Sequence, residues 1–347
     1  MNLFYAAFIP GLQDFIAGVI KERLSNVKIH KLLDGAVLFE TETSYDKLNF
    51  LCFNNIFAVI NWEEVDLEKH IKLFINENCD CGNDVIADNN KSFHSFRIIV
   101  SNENVPAAID EKLRAQAEKR IARLSGLKVN RTLCDTEFWF LYRSEGFSVF
   151  MKRLTLRSSW EKTLHKGELP PPLAWILCRM ANLSHADTVL DPFCGYGSIP
   201  DAALKYFHIT KFIACDNNME AFKYTGERFK KRKSGAVTLY NTDFNKLPLL
   251  IKEKTVDVII TDPPWGHYKE IDANGFYAKM FDVFNKLLKD GSGSETLYAR
   301  AVVLCANDGS FKDVIPECFK IQTQTPILLS GRKAIIYVLK RFACLKS

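Results

Sequence analysis

Two observations predict an α/β fold whose C-terminal half is a doubly wound, largely parallel sheet ending in an antiparallel hairpin, preceded by a smaller α+β region. From Thr188 onward, apolar runs of strand length alternate with stretches of helical period. The last two runs, Phe319 to Leu329 and Ala334 to Arg341, meet at Gly331-Arg332 with no room for a crossover helix, which makes them antiparallel neighbours. In the first half the signals follow another order, strand, helix, hairpin, helix and strand, and the pattern then begins again.

The chain has 347 residues, enough for two or three domains with separate cores. With 47% hydrophobic and 25% charged residues it has the composition of an ordinary soluble protein. A net charge of +5 is too small to bind a polyanion by itself, so a nucleic-acid surface requires local clustering. The 10 cysteines are scattered, and several sit inside apolar runs (Cys178, Cys215, Cys305), so reduced thiols in a cytoplasmic protein are expected. Cys79-Asp80-Cys81 has no second Cys or His pair at finger spacing, and no metal is expected. Met1 to Ile20 lacks a basic start, is broken by Pro10-Gly11 and carries Asp14, which fits neither a signal peptide nor a membrane span.

Leu3 to Ile9 reads as a strand, and Pro10-Gly11 turns it into a helical pattern at Phe15, Ile16, Val19, Ile20 and Leu24. Val27 to Leu33 and Ala36 to Glu40 form a hairpin about Asp34-Gly35. A helix over Leu48 to Asn55 and a strand over Ile56 to Trp62 complete a small split βαβ module of ferredoxin type, residues 1–62. Residues 63–156 begin with a helix over Val65 to Asn78 and a strand over Ser95 to Val100. A charged helix, Ile109 to Ser125, and strands over Glu137 to Arg143 and Phe147 to Leu154 follow. Glu111 to Arg131 holds 7 Lys or Arg against 2 Glu, the composition of a solvated helix face. Lys152, Arg153 and Arg157 form a second basic cluster with no acid, and the two clusters together read as a phosphate-binding surface.

Residues 157–172 are a linker stiffened by Pro170-Pro171-Pro172, and a helix over Leu173 to Leu183 opens the last part, residues 173–347. Strands are expected at Thr188 to Phe193, Phe212 to Asp216, Ala236 to Thr242, Val256 to Thr261, Ala301 to Ala306 and over the two hairpin runs. Helices are expected at Ser198 to Phe207, Met219 to Lys233, Phe276 to Leu288 and Ser310 to Glu317.

Four strand ends carry chemistry. Asp191-Pro192-Phe193-Cys194-Gly195-Tyr196-Gly197-Ser198 joins the first strand to its helix, and Gly195 and Gly197 allow a ligand close to the backbone. Pro200 stands where the third glycine of G-x-G-x-x-G would be, so a dinucleotide is disfavoured and a ligand with an amino-acid tail and no phosphate fits better. Asp216, with Asn217 beside it, ends the second strand, where an acid reaches ribose hydroxyls. Asp243 ends the third, placed for an adenine amino group, with Phe244 to pack on the ring. Asp262-Pro263-Pro264-Trp265 ends the fourth. Two prolines remove N–H donors and fix φ, so this turn is an acceptor site. Asp262 and the Pro263 carbonyl each suit one N–H of an exocyclic amino group, with Trp265 stacked on the base. His267 beyond it reads as a surface histidine, and Lys230-Lys231-Arg232-Lys233 as a complement to a helix dipole.

With these motifs the second half resembles the class I S-adenosylmethionine-dependent methyltransferases, whose D/N-P-P-aromatic motif serves methylation of amino groups. The whole chain is similar to the THUMP-domain RNA methyltransferases, tRNA guanine-N2 methyltransferases among them, and the stretch Lys166 to Ala174 resembles the segment they place before the first catalytic strand. The resemblance implies a ferredoxin-like domain at 1–62, a THUMP domain at 63–156 and a Rossmann-like catalytic domain at 173–347. It further implies S-adenosylmethionine as cofactor, held by Asp191, Phe193, Cys194, Gly195, Gly197, Asp216, Asn217, Asp243 and Phe244. RNA, foremost tRNA, is the implied partner, contacted through Lys152, Arg153, Arg157 and Trp265, and some relatives work with a small activator subunit. The chain departs from the family at Tyr196, where Ser or Thr is usual, at Ser198, where Thr is usual, and at Trp265 in place of Tyr or Phe.

The alternative is methylation of another amino group, in rRNA or other RNA, in DNA adenine or in protein glutamine, and for DNA and protein a THUMP-like reader has no evident use. A catalytically silent RNA-binding module would have no need of four intact strand-end acids. A thiouridine-forming THUMP enzyme would need an S-G-G-x-D-S loop, which the sequence lacks.

Overall fold

Runs of β-branched and aromatic residues become two separate sheets, one in each of two units: Met1–Phe8 with Gln13–Ser158, and Ile9–Leu12 with Ser159–Ser347. The computed structural model describes the chain except residues 46, 49–50, 77–82, 88–92, 104, 156–163, 232–235, 266–272, 291–298, 308 and 343–347. Cys79, Cys81, Arg157, Arg232, Lys233 and His267 therefore lie outside the described residues.

The first unit contains β1 (Asn2–Ala7), β2 (Lys28–Leu33), β3 (Ala36–Thr41), β4 (Asn55–Glu63), β5 (Ser95–Asn102), β6 (Val105–Pro106), β7 (Lys128–Val129), β8 (Thr136–Arg143) and β9 (Phe147–Arg153). They form one sheet in the order β2-β3-β1-β4-β9-β8-β5-β6, with β7 on β5. The two modules read from the sequence thus share a sheet, because β4 pairs antiparallel with β9. The helices Leu67–Ile75 and Glu111–Ser125 are started by Asp66 and Asp110, whose side chains accept from the N–H groups of Lys69 and Leu113 at 2.8 and 3.0 Å. Between Leu51 and Asn54 the chain makes turns, not the expected helix: Cys52 and Phe53 are buried, and Asn54 N donates to Ala7 O at 2.6 Å, pulling the chain into β4.

The basic cluster on β9 is not an open surface. Lys152 is only 8% exposed, with its ammonium 5.9 Å from the ring centres of Phe93 and Phe138. Arg153 donates to Glu137 Oε2 at 2.8 Å and to Asn55 Oδ1 at 3.2 Å. The reason is position: β9 lies inside the sheet between β4 and β8, and both of its faces are covered by apolar clusters, one holding Phe150 and the other Phe147, Val149 and Met151. Arg153→Met is therefore expected to lower thermal stability by about 1–3 kcal/mol, by removing a charged hydrogen bond to a mostly buried carboxylate. A melt unchanged from the parent protein would return Arg153 to the list of surface cations.

The second unit contains β10 (Thr188–Asp191), β11 (Lys211–Asp216), β12 (Val237–Asn241), β13 (Val258–Thr261), β14 (Arg300–Ala306), β15 (Phe319–Leu329) and β16 (Arg332–Arg341). Their order is β12-β11-β10-β13-β14-β16-β15, with the first five parallel and β16 antiparallel to both neighbours. All the strands expected from the sequence are present. The chain runs outward from β10 through β11 to β12, then returns to place β13 on the other side of β10, so the order reverses between β10 and β13. The helix Ala273–Leu287 covers this sheet with Tyr277, Met280, Phe281, Phe284 and Leu287. The helix expected over Ser310 to Glu317 is a single 3-10 turn, Lys312–Val314, cut short by Pro316. Among the described residues no helix is long and apolar enough to cross a membrane.

Candidate active site

Parallel strands end at the same edge of a sheet, and where their order reverses the two following loops diverge and leave a crevice. Here a cavity of about 620 Å³ lies at that edge, lined by residues that follow β10, β11, β12 and β13. Asp191, Phe193, Cys194, Gly195, Asp216, Asn217, Asp243, Phe244, Asp262 and Pro264, all singled out from the sequence, line it together. Gly197, Pro263 and Trp265 do not reach the lining.

Asp191 and Asp262 flank the reversal. Asp191 is 1% exposed; its Oδ1 accepts from Phe193 N at 3.1 Å and from Thr261 Oγ1 at 2.8 Å, a bond from β10 to β13. Its Oδ2 is buried without a hydrogen-bond partner. Burial, reinforced by the charges of Asp216 and Asp262, pushes its pKa up to about 8. Asp262 Oδ1 accepts from Trp265 Nε1 at 2.8 Å, and burial outweighs that bond to push its pKa up to about 7. The indole thus locks the carboxylate's orientation while leaving most of its acceptor capacity unused.

Asp216 builds the glycine turn. Its two oxygens accept from Gly195 N and Asn218 N, each at 2.8 Å. Gly195 and Gly197 have φ of +50° and +85°, which a side chain would strain. A Cβ on Gly197 would also lie 3.0 Å from Thr225 Cγ2, whose hydroxyl donates to Gly195 O at 2.9 Å. Gly197 starts the helix Ser198–Tyr206 without a side-chain cap, so its first N–H groups have no side chain to serve. Asp243 starts the turn Phe244–Lys246, accepting from Asn245 N at 2.9 Å. Phe244 packs with Phe193 and Phe276, ring centres 4.9 and 5.4 Å away, as an apolar wall.

Sequence reasoning missed Glu168, Tyr196, Phe276 and Lys279 as lining residues. Phe276 and Lys279 lie in a helix read for its core face, and their shared place on the cavity is fixed only by packing. Among the described residues no group of three or more His, Cys, Asp or Glu is placed to hold a metal ion.

Residues 158–325 match the family described as UPF0020, RMKL-like, methyltransferase domain. In an alignment that covers 90% of this chain and 86% of the relative, the chain is 22% identical to a tRNA (guanine(6)-N2)-methyltransferase of Archaeoglobus fulgidus. It is 28% identical over 160 residues to a tRNA (guanine(10)-N2)-dimethyltransferase of Methanocaldococcus jannaschii, and spans 42% of that protein's length. It is also 25% identical over 209 residues to the mouse tRNA (guanine(6)-N(2))-methyltransferase THUMP3, spanning 40% of it. The crystal structure of TrmN from Thermus thermophilus superposes with a TM-score of 0.80, covering 99% of this chain and 100% of that one at 18% identity. These matches bear out the resemblance carried by Asp191 to Ser198 and Asp262 to Trp265.

Proposed function

We propose that this chain is an S-adenosylmethionine-dependent methyltransferase that modifies the exocyclic N2 amino group of a guanosine in tRNA. The observation that carries this reading is a single cavity lined by Asp191, Asp216, Asp243 and Asp262, with Lys279 the one cationic side chain among its described lining residues. Such a site suits a cation. When bound, S-adenosylmethionine supplies a methyl group activated by a positively charged sulfur. The unpartnered Asp191 Oδ2, the hydroxyl-binding position of Asp216 and the aromatic wall at Phe244 fit the ammonium, ribose and adenine of that molecule.

The protein's own part is to prepare the acceptor. A guanine N2 is a poor nucleophile, since its lone pair is delocalised into the ring. The free acceptor positions of Asp262, with the Pro263 carbonyl, take its two N–H groups, which favours a pyramidal nitrogen and stabilises the positive charge that develops there. Fixing the amine in this orientation contributes mainly as positioning. The base has to leave its stack, and an aromatic contact at Trp265 offsets about 1–3 kcal/mol of that cost. With Lys152 and Arg153 engaged internally, phosphate contacts fall to the helix Glu111–Ser125, where the exposed Lys112, Lys119 and Arg123 share a face. Residues 63–156 are read as the THUMP domain on this basis.

The charged form of Asp262 is the active one, and its pKa lies above the ordinary carboxylate range. Single-turnover transfer is therefore expected to rise about tenfold per pH unit below about 7 and to level off above it. Asp262→Asn should abolish this limb along with most of the rate; an unchanged limb in that variant would assign the titration to another group. The reaction itself is tested by transfer of labelled methyl to total RNA from a host lacking the gene, digested to nucleosides. Label in N2-methylguanosine supports the proposal. Label in another nucleoside, or none in RNA when the cofactor binds and a small activator subunit is supplied, overturns it.

A further inference from the structure

The backbone ladder between β10 and β13 pairs Val189 with Val258 and Leu190 with Ile259, and stops one residue short of Asp191. On their other sides both strands stay paired to the end, Asp191 with Ala214 of β11 and Thr261 with Val303 of β14. The sheet therefore opens between β10 and β13, where the strand order reverses. Across that opening runs a side-chain bond, Thr261 Oγ1 donating to Asp191 Oδ1 at 2.8 Å. Thr261 is 0% exposed, and the residues before it, Val258, Ile259 and Ile260, are apolar and equally buried. A hydroxyl at such depth is costly unless it has a partner, and Asp191 is that partner.

With Phe193 N and Thr261 Oγ1 both on Oδ1, the Asp191 carboxylate is fixed by two donors, and Oδ2 is left for the ligand's ammonium. Thr261 does not line the cavity, but Asp262, the next residue, does. One peptide unit thus separates the hydroxyl that orients the carboxylate on the cofactor side from the residue that receives the amino group. Asp216 and Asp262 act on Asp191 through their charge, and Glu168, Asp243 and Lys279 complete the charged lining among the described residues. Burial raises the pKa of Asp191, and the bond from Thr261 opposes that rise.

We propose that Thr261 is a positioning residue for methyl transfer: its hydroxyl ties the Asp191 carboxylate to the strand that presents Asp262, and so fixes the spacing of methyl donor and acceptor. This rests on the reading of the cavity as an S-adenosylmethionine site. The test compares the full chain with Thr261→Val, which keeps the branched shape without the hydroxyl, with Thr261→Ala, and with Thr261→Ser, which keeps the hydroxyl. Single-turnover transfer to RNA from a host lacking the gene is expected to slow about tenfold to a hundredfold in the valine and alanine variants at saturation. The RNA concentration giving half the maximal rate should change little, and Thr261→Ser should recover most of the rate. Should the valine variant not fold, alanine and serine carry the same comparison. Calorimetric titration with S-adenosylmethionine across the neutral range is the second readout. Without the hydroxyl, Asp191 keeps its proton to higher pH, so affinity should begin to fall toward acid at a higher pH than in the unaltered chain. The ligand's own amino group titrates alike in both, so the difference belongs to the protein. Unaltered rate and pH profile in Thr261→Val and Thr261→Ala would overturn the inference, as would a Thr261→Ser variant as slow as Thr261→Val. Failure of the unaltered chain to bind S-adenosylmethionine overturns the underlying reading as well.

Discussion

Asp262→Ala is expected to slow methyl transfer by about a hundredfold to a thousandfold while leaving cofactor affinity nearly intact. The size follows from removing one oriented acceptor from a water-poor site, where such groups act on charge that appears only in the transition state. The selectivity follows from geometry. Asp262 is bonded to Trp265 and borders the cavity beside Pro264, and it holds no part of the glycine turn. Single-turnover rates with saturating cofactor, set beside a calorimetric titration, separate the two effects. A variant that loses cofactor affinity as severely as rate would place Asp262 in the cofactor site instead.

Asp216→Ala is expected to show the opposite profile, with S-adenosylmethionine bound about tenfold to a hundredfold more weakly and the transfer rate at saturation much less affected. Two losses combine. The ligand's hydroxyls lose an acceptor, and Gly195 N and Asn218 N lose the carboxylate that sets the turn at 2.8 Å. Asp216→Asn keeps an amide oxygen for one of these donors and should fall between. If cofactor affinity survives Asp216→Ala, the ribose role moves to another residue.

The strand-end acids were legible because a parallel sheet obliges them to share an edge. Once β10 to β13 were read as parallel, Asp191, Asp216, Asp243 and Asp262 had to meet, whatever the loops did. Glu168 was not legible. It lies ahead of the first strand of its sheet, and its approach to Ser198 and Arg228 joins residues 30 and 60 positions away through packing that no local period encodes. Lys152 and Arg153 failed for a related reason: a basic pair in the sequence reads as surface, but β9 turned out to be an interior strand flanked by β4 and β8.

By itself the sequence determined the strand and helix types in the second half, the order in which chemistry-bearing residues emerge, and the acceptor character of Asp262-Pro263-Pro264-Trp265. Each depends on local constraints, periodicity, the missing prolyl N–H and the carboxyl edge of a strand. The tertiary structure decided what depends on neighbours distant in the chain. It joined the strands of two expected modules into one sheet, left Asp191 Oδ2 without a partner and bound Trp265 to Asp262. It also raised the pKa of both aspartates, because desolvation belongs to the assembled cavity and to no residue alone.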